Sequence, residues 1–168
     1  MKAKRIIILF AAVLGLSALT YVKKAVEAEI ESTHKEKARY FGLFLLLNDW
    51  MYIDNHGASI GTFLAEKGYK KVAIYGMSHI GHRLKEELEN TGLTVCYGID
   101  RDSSIVVDEF RIYTPEDAIP EVDTIIITTY QNYMEIKDLL EKKTDVDVLF
   151  IKDIISDQMH AIWEDGQC

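Results

Sequence analysis

Apolar residues in the second half of the chain recur in short runs that alternate with polar, helix-forming segments. Runs rich in β-branched residues predict strands at 70–76, 94–100, within 104–117, 122–129 and 146–151. Segments 82–92 and 132–143 carry apolar residues at helical spacing and predict amphipathic helices. Strands that alternate with helices of this length predict an α/β fold built on a small, doubly wound parallel sheet.

The first half of the chain has a different pattern. Residues 25–53 lack proline and predict a helix, and a dense apolar stretch lies near its end. Ser59 is a candidate N-cap for a short helix that ends at Gly68. We therefore predict a helical linker region at 25–68, a sheet domain at 69–157 and a solvated tail at 158–168.

The N-terminus carries an uncharged run of seventeen residues, from Ile6 to Val22. As a helix it would be roughly 26 Å long, close to the hydrocarbon thickness of a bilayer. Basic residues flank the run on both sides: Lys2, Lys4, Arg5, Lys23 and Lys24. The pattern predicts a membrane anchor within residues 1–24. A cleaved signal peptide is the alternative, but no convincing small-x-small cleavage site precedes Lys23.

Charge is distributed unevenly along the chain, whose net charge is −8. Residues 1–40 hold eight Lys/Arg and four Asp/Glu, so the remainder is strongly acidic. An acidic globular part argues against nucleic-acid binding. The basic residues that follow the apolar run favour a single-pass anchor at the inner membrane face with a cytoplasmic globular part. Two cysteines, Cys96 and Cys168, are too few for a disulfide framework and fit a reducing compartment.

The stretch 72–81, VAIYGMSHIG, predicts a strand, a tight turn and the start of a helix. This is the setting of the dinucleotide-binding fingerprint G-x-G-x-x-G, in which the helix N-terminus binds a pyrophosphate. Ser78 replaces the middle glycine, which weakens the match. The candidate ligand-binding residues of this turn are Gly76, Met77, Ser78, His79, Ile80 and Gly81.

Further candidates follow the later predicted strands. Asp100 lies twenty-four residues after Gly76, near the position of the acid that binds ribose hydroxyls, and Arg101 is its neighbour. Thr128 and Thr129 lie at the carboxyl end of the most hydrophobic predicted strand, at the edge where open α/β sheets bind ligands. Together with the turn, these residues predict a Rossmann-like site for NAD or another nucleotide.

From about residue 40 to 155 the chain resembles small bacterial Rossmann-like domains associated with cell-surface polysaccharide biosynthesis. Those domains are similar to the nucleotide-binding part of nucleoside-diphosphate-sugar epimerases. The resembling segments are the helix ending in Trp50, GYKKVAIYGMSHIGHRL (68–84), YGID (97–100) and IPEVDTIIITT (119–129). The resemblance implies a nucleotide or nucleotide-sugar ligand and a role near glycan assembly. The large substrate domain of the epimerases has no counterpart here.

Two other side-chain pairs have chemically suggestive spacing. Tyr133 and Lys137 match the Tyr-x-x-x-Lys pair of short-chain dehydrogenases, but no catalytic serine precedes them. His79 and His82 have the spacing of helical metal ligands, yet no third ligand joins them. We therefore predict no catalytic residue and no metal site.

Three functional hypotheses follow. The first is a membrane-tethered nucleotide or nucleotide-sugar binding protein, accessory to polysaccharide synthesis, whose partner is a glycan-assembly protein or a second copy. The second is an NAD-dependent oxidoreductase or epimerase fragment completed by oligomerisation. The third is a structural module that binds no nucleotide and docks on a membrane partner.

Overall fold

The computed structural model describes residues 2–102 and 110–166, with side chains described from residue 15 onward. The helices and strands follow in the order α1 (Lys2–Asn55), α2 (Ile60–Glu66), β1 (Lys71–Tyr75), α3 (His79–Glu89), β2 (Thr94–Ile99), β3 (Ile112–Tyr113), β4 (Thr124–Ile127), α4 (Tyr133–Glu141), β5 (Asp147–Phe150) and α5 (Ile151–Asp165). The predicted α/β class is confirmed. Residues 104–109 of the predicted 104–117 strand region lie outside the described residues.

The five strands form one sheet with the order β3-β2-β1-β4-β5, and all four pairings are parallel. The order reverses at β1, because the chain moves to β2 on one side and later returns to β4 on the other. Right-handed crossovers then place α3 and α4 on opposite faces of the sheet. This arrangement is compatible with a doubly wound, Rossmann-like fold.

The core lies on both faces of the two central strands. Four of the five residues of β1 and all four residues of β4 are buried. Such strands read as continuous apolar runs because helices cover both of their faces. The predicted strand 122–129, the most hydrophobic of the chain, contains β4, which lies inside the sheet between β1 and β5.

The C-terminal part of α1 belongs to this core. Leu46, Trp50 and Ile53 are buried at helical spacing. The indole Nε1 of Trp50 donates a 2.6 Å hydrogen bond to the Glu87 carboxylate on α3, which also accepts from the Gly61 N–H. Burial raises the pKa of the Glu87 carboxyl, although these two hydrogen bonds lower it. One carboxylate thus joins α1, α2 and α3.

Residues 1–41 form a unit separate from residues 42–168. In this unit α1 is a continuous helix whose apolar side chains are largely exposed, including Leu19, Val22, Val26 and Ile30. Among the described residues, no helix has a segment long and apolar enough to cross a membrane. The side chains of residues 6–14, in the predicted anchor Ile6–Val22, lie outside the described part of the chain.

Helix α5 has no counterpart among the predicted elements. Its buried residues Ile151, Ile154 and Ile155 have helical spacing, but Ile151 directly continues the apolar run of β5. Gln158 donates a 2.7 Å hydrogen bond to the Ser59 carbonyl, which joins α5 to the N-cap of α2. Residues 158–165, assigned from the sequence to a tail, belong to this helix.

Candidate functional site

The turn after β1 is held by close backbone packing. Gly76 has φ +93°, and a Cβ there would lie 2.4 Å from the Thr129 Cγ2. A Cβ at Gly81 would lie 2.2 Å from the Gly76 carbonyl oxygen. Both positions therefore require glycine, for the reasons that the fingerprint predicts: a tight turn and a close helix–strand approach.

Hydrogen bonds from the neighbouring strands hold the same turn. The Gly76 N–H donates to the Ile99 carbonyl at 2.8 Å, and the Thr128 hydroxyl donates to the Gly76 carbonyl at 2.6 Å. Thr128 is 2% exposed, so its hydroxyl serves the backbone inside the sheet. The structure thus places Thr128 under the turn as a structural support.

Asp100 also contacts the turn. Its Oδ2 accepts a 2.7 Å hydrogen bond from the Met77 N–H, and its Oδ1 accepts from the Asp102 N–H at 3.0 Å. The sequence predicts this carboxylate as a ribose acceptor, and in the structure it also ties the end of β2 to the turn. An ionised carboxylate has about four acceptor positions, so part of its capacity is left for a ligand.

A cavity of about 200 Å³ opens where the carboxyl ends of β1, β2 and β4 meet the start of α4. We call it the switch-point crevice, because the strand order reverses at β1. Its lining residues are Tyr75, Asp100, Arg101, Thr129, Gln131, Asn132 and Ile136. Open α/β sheets bind their ligands at this location.

The crevice gathers some of the predicted residues and not others. Asp100, Arg101 and Thr129 line it. Gly76, Met77, Ile80 and Gly81 are buried in the adjoining turn and helix, and Ser78 and His79 are exposed at the start of α3. Ser78 is the N-cap of α3, but its side chain makes no capping hydrogen bond.

Sequence reasoning missed four lining residues: Tyr75, Gln131, Asn132 and Ile136. Tyr75 is the last residue of β1 and reads as one more apolar strand residue. Gln131 and Asn132 lie in the connection between β4 and α4, one residue beyond the predicted Thr128 and Thr129. The signal that could have found them is their position after a central strand, where sheet-edge ligands bind.

Tyr75 is the most unusual side chain of the crevice. It is 2% exposed, and its buried hydroxyl donates no hydrogen bond to a described residue. Burial raises the pKa of Tyr75, and the Arg101 guanidinium opposes that effect through its charge and as a hydrogen-bond donor to the phenol oxygen. An orphaned buried hydroxyl costs about 1–3 kcal/mol unless a ligand satisfies it.

The start of α4 lies beside the crevice, which Asn132 and Ile136 line. Asn132 precedes the helix with φ +56°, a left-handed conformation that asparagine tolerates, and its side chain does not cap the helix. The first intrahelical bond runs from the Ile136 N–H to the Asn132 carbonyl, so the N–H groups of residues 133–135 have no acceptor within the helix. A helix N-terminus also carries partial positive charge.

The Tyr133 and Lys137 pair is engaged elsewhere. The Tyr133 ring stacks on Phe150, with 4.2 Å between the ring centroids, and Lys137 lies 3.7 Å from the Glu141 carboxylate. In the described part of the chain, no group of three His, Cys, Asp or Glu side chains could hold a metal ion.

Comparison of the chain with known proteins finds no matching family model, no matching curated protein and no matching solved structure. The resemblance to polysaccharide-associated Rossmann-like domains therefore remains a prediction from the sequence.

Proposed function

We propose that this protein binds a nucleotide or nucleotide-sugar in the switch-point crevice and serves surface-polysaccharide synthesis without a reaction of its own. One observation carries the proposal. The crevice at the reversal of the strand order combines a glycine turn with the polar lining of Asp100, Arg101 and Thr129. This is where doubly wound sheets bind nucleotides.

The size of the crevice limits what enters it. Sites that enclose a whole small-molecule ligand measure about 300–1,000 Å³, whereas this cavity measures about 200 Å³. One part of a nucleotide fits inside, and the rest would lie along the exposed sheet edge near Ser78 and His79. Such a partly open site suits presenting a ligand to a partner protein more than enclosing a reaction.

The binding proposal is tested by thermal unfolding of the full chain with NAD, NADP, FAD, UDP, ADP and UDP-glucose at millimolar concentration. A ligand at 100 times its Kd stabilises the folded state by about 2.7 kcal/mol. The exposed change Gln131→Trp should abolish the stabilisation by filling the crevice. Met134→Trp, an exposed change in α4 outside the lining, is the matched control. No stabilisation by any of these ligands would contradict the proposal.

The same proposal includes a membrane tether through residues 6–22, supported by the uncharged run and its basic flanks. The full chain should remain with membranes after carbonate extraction. Leu14→Lys, in the middle of the run, should release it, because a central charge costs about 2.5–3.5 kcal/mol in insertion. Ser32→Lys, an exposed change further along α1, should not. Recovery of the unaltered chain in the soluble fraction would remove the tether from the proposal.

A further inference from the structure

We infer that α1 pairs with the α1 helix of a second copy of this chain, as a parallel two-stranded coiled coil over residues 23–51. This interface lies outside the switch-point crevice, and it depends neither on the proposed ligand nor on the proposed membrane tether. Two features of α1 identify the partner: the spacing of its exposed apolar side chains and the charges beside them.

Apolar side chains recur along α1 at the spacing of a heptad repeat. In a repeat written abcdefg, positions a and d alternate at intervals of three and four residues and form the contact between two helices. We call these positions the α1 seam, and from residue 23 onward they are Lys23, Val26, Ile30, Thr33, Lys37, Tyr40, Phe44, Leu47 and Met51. Six of the nine are apolar, and the seam covers four heptads, a length that indicates a coiled coil.

The structure leaves the apolar residues of the seam exposed. Their exposed fractions lie between 41% for Leu47 and 64% for Met51. Within residues 42–55, the buried large side chains of α1 are Leu46, Trp50 and Ile53, which belong to the core of their own domain. These three residues occupy c and g positions, so the a and d positions of the same turns lie on another side of the helix. A row of exposed apolar side chains of this length marks an interaction surface.

The period of the seam identifies the partner as another helix. A straight α-helix has 3.6 residues per turn, so a strict seven-residue repeat drifts by about 20° per heptad around it. The repeat stays in contact with a partner when two helices wind around each other in a left-handed supercoil. A helix that lies on a lipid surface needs no such repeat and carries basic residues on its polar face. The seam of α1 is instead flanked by Glu27, Glu29 and Glu36.

The charges beside the seam fit a second copy in parallel, in-register alignment. In that alignment a g side chain faces the e side chain five residues later in the partner. Glu29 then faces the partner's His34, and no two like charges face each other. Lys37, at an a position, adjoins the partner's Glu36 at the preceding g position. An antiparallel pair would instead bring g positions together, and the charged g residues, Glu29 and Glu36, are both acidic.

The residue types of the seam favour two strands. Isoleucine at a and leucine at d favour a dimer, and α1 has Ile30 at a and Leu47 at d. Lys23 and Lys37 both occupy a positions, where lysine specifies the oligomeric state at a cost in stability. The aliphatic stem of a lysine can lie along a two-stranded seam while its ammonium group reaches water. A second copy of α1 therefore accommodates the polar positions of the seam as well as the apolar ones.

The test is the molar mass of the full chain, measured by light scattering in mild detergent over a range of micromolar concentrations. We expect a dimer. Ile30→Glu should weaken it at least about 100-fold, because one layer of the seam loses its apolar contact and gains two like charges. Ile30 is 53% exposed, so this change leaves the core of the domain intact. Ala28→Glu, at an exposed f position of the same helix, is the matched control and should leave the dimer unchanged.

A set of charge reversals tests the parallel alignment. Lys37→Glu and Glu36→Lys should each weaken the dimer about 10-fold, because each brings like charges together at two places in the interface. The double variant should recover most of this loss. Lys35→Glu is the matched control, because Lys35 occupies an f position and pairs at 2.7 Å with Glu31 of its own helix. It should leave the dimer unchanged.

The outcomes decide the inference separately from ligand binding. An unaltered chain that is monomeric at tens of micromolar would overturn it, whether or not that monomer binds lipid vesicles. A dimer that survives Ile30→Glu would mean that another surface forms it, and the inference would be wrong. A trimer or larger assembly would contradict the two-stranded seam. If the double variant recovers no affinity, the parallel alignment is wrong and the inference fails in that form.

Discussion

The parallel strands begin at one edge of the sheet, the amino edge, and end at the opposite one, the carboxyl edge. The two edges carry similar residues whose hydrogen bonding differs. At the amino edge, the Asp123 carboxylate accepts the N–H groups of Lys70 and Lys71, both at 2.7 Å, and the Tyr69 hydroxyl donates to Asp147. At the carboxyl edge, Asp100 likewise accepts backbone N–H groups. These amino-edge groups are paired within the protein, whereas the buried Tyr75 hydroxyl at the carboxyl edge donates to no described residue.

This difference supports the carboxyl edge as the position of the proposed site. A folded chain gains stability by pairing its buried polar groups, so a group left unpaired reflects a requirement other than stability. Both edges have cavities, so the presence of a cavity alone does not distinguish them. The Tyr75 hydroxyl, which donates to no described residue, does distinguish the carboxyl edge from the amino edge.

The largest expected effect lies in the turn of the carboxyl edge. Gly76→Ala should destabilise the protein by about 2–5 kcal/mol, from about 1–2 for the left-handed backbone and about 1–3 for crowding against Thr129. Gly92→Ala is the matched control, because Gly92 has φ +79° with nothing within 4 Å of a new Cβ. Urea unfolding of Gly92→Ala should show only the backbone cost of about 1–2 kcal/mol. Equal losses at both glycines would mean that crowding at the turn is unimportant.

A matched pair of threonines on β4 compares the two edges directly. Thr124 donates to the Asp147 carbonyl at 2.8 Å at the amino end, and Thr128 donates to the Gly76 carbonyl at the carboxyl end. Replacing either by valine should cost about 1–2 kcal/mol, because a backbone carbonyl loses its side-chain donor. Only Thr128→Val should also weaken ligand binding measured by calorimetry. An equal loss of affinity in Thr124→Val would contradict the division between the edges.

The tyrosines at the two edges should respond with opposite signs. Tyr69→Phe should lower the free energy of unfolding by up to about 1 kcal/mol, because the Asp147 carboxylate loses its donor in a solvent-exposed setting. Tyr75→Phe should leave the ligand-free protein equally stable or up to about 1 kcal/mol more stable, because it removes an unpaired buried hydroxyl. Denaturant unfolding measures both. A clear loss of stability in Tyr75→Phe would mean that its hydroxyl already has a partner.

The smallest effect is a pH dependence at the amino edge. The N–H groups of Lys71 and Lys70 lower the pKa of Asp123. A carboxyl whose pKa is lower in the folded state stabilises the fold above its unfolded pKa, and that stability is lost as pH falls through the folded pKa. Asp123→Asn should therefore be less stable than the unaltered protein at neutral pH, and the difference should shrink in acid. Unfolding curves from pH 7 to pH 2 would measure the difference, and a constant gap would contradict this assignment.

The sequence predicted the parts of the site that depend on local chemistry. Gly76 and Gly81 could be recognised because only glycine fits a tight turn followed by close helix packing, and Asp100 because its distance along the chain from the turn is typical of the ribose acid. Tyr75 could not be recognised, because an aromatic residue at a strand end looks the same whether its hydroxyl is paired or orphaned. That distinction depends on neighbours from β2 and β4.

The helices and strands also divide into those that the sequence predicted and those that only the structure shows. Strands β1, β2, β4 and β5 and the helices α3 and α4 were predicted because each has its own periodicity and its own end signals. Helix α5 was missed because its apolar residues continue those of β5, so the change from strand to helix leaves no polar break. Helix α1 is continuous across residues 24 and 25, where a change of composition suggested a boundary.

The sequence by itself determined the alternation of strands and helices, the glycine turn and the acidic character of the globular part, because these depend on neighbouring residues. Only the tertiary structure decided that β1 lies between β2 and β4, which brings Asp100, Arg101, Thr129 and Asn132 around one crevice. The physical reason is that strand order results from packing among distant segments. The shared lining of that crevice is therefore visible only once the chain is folded.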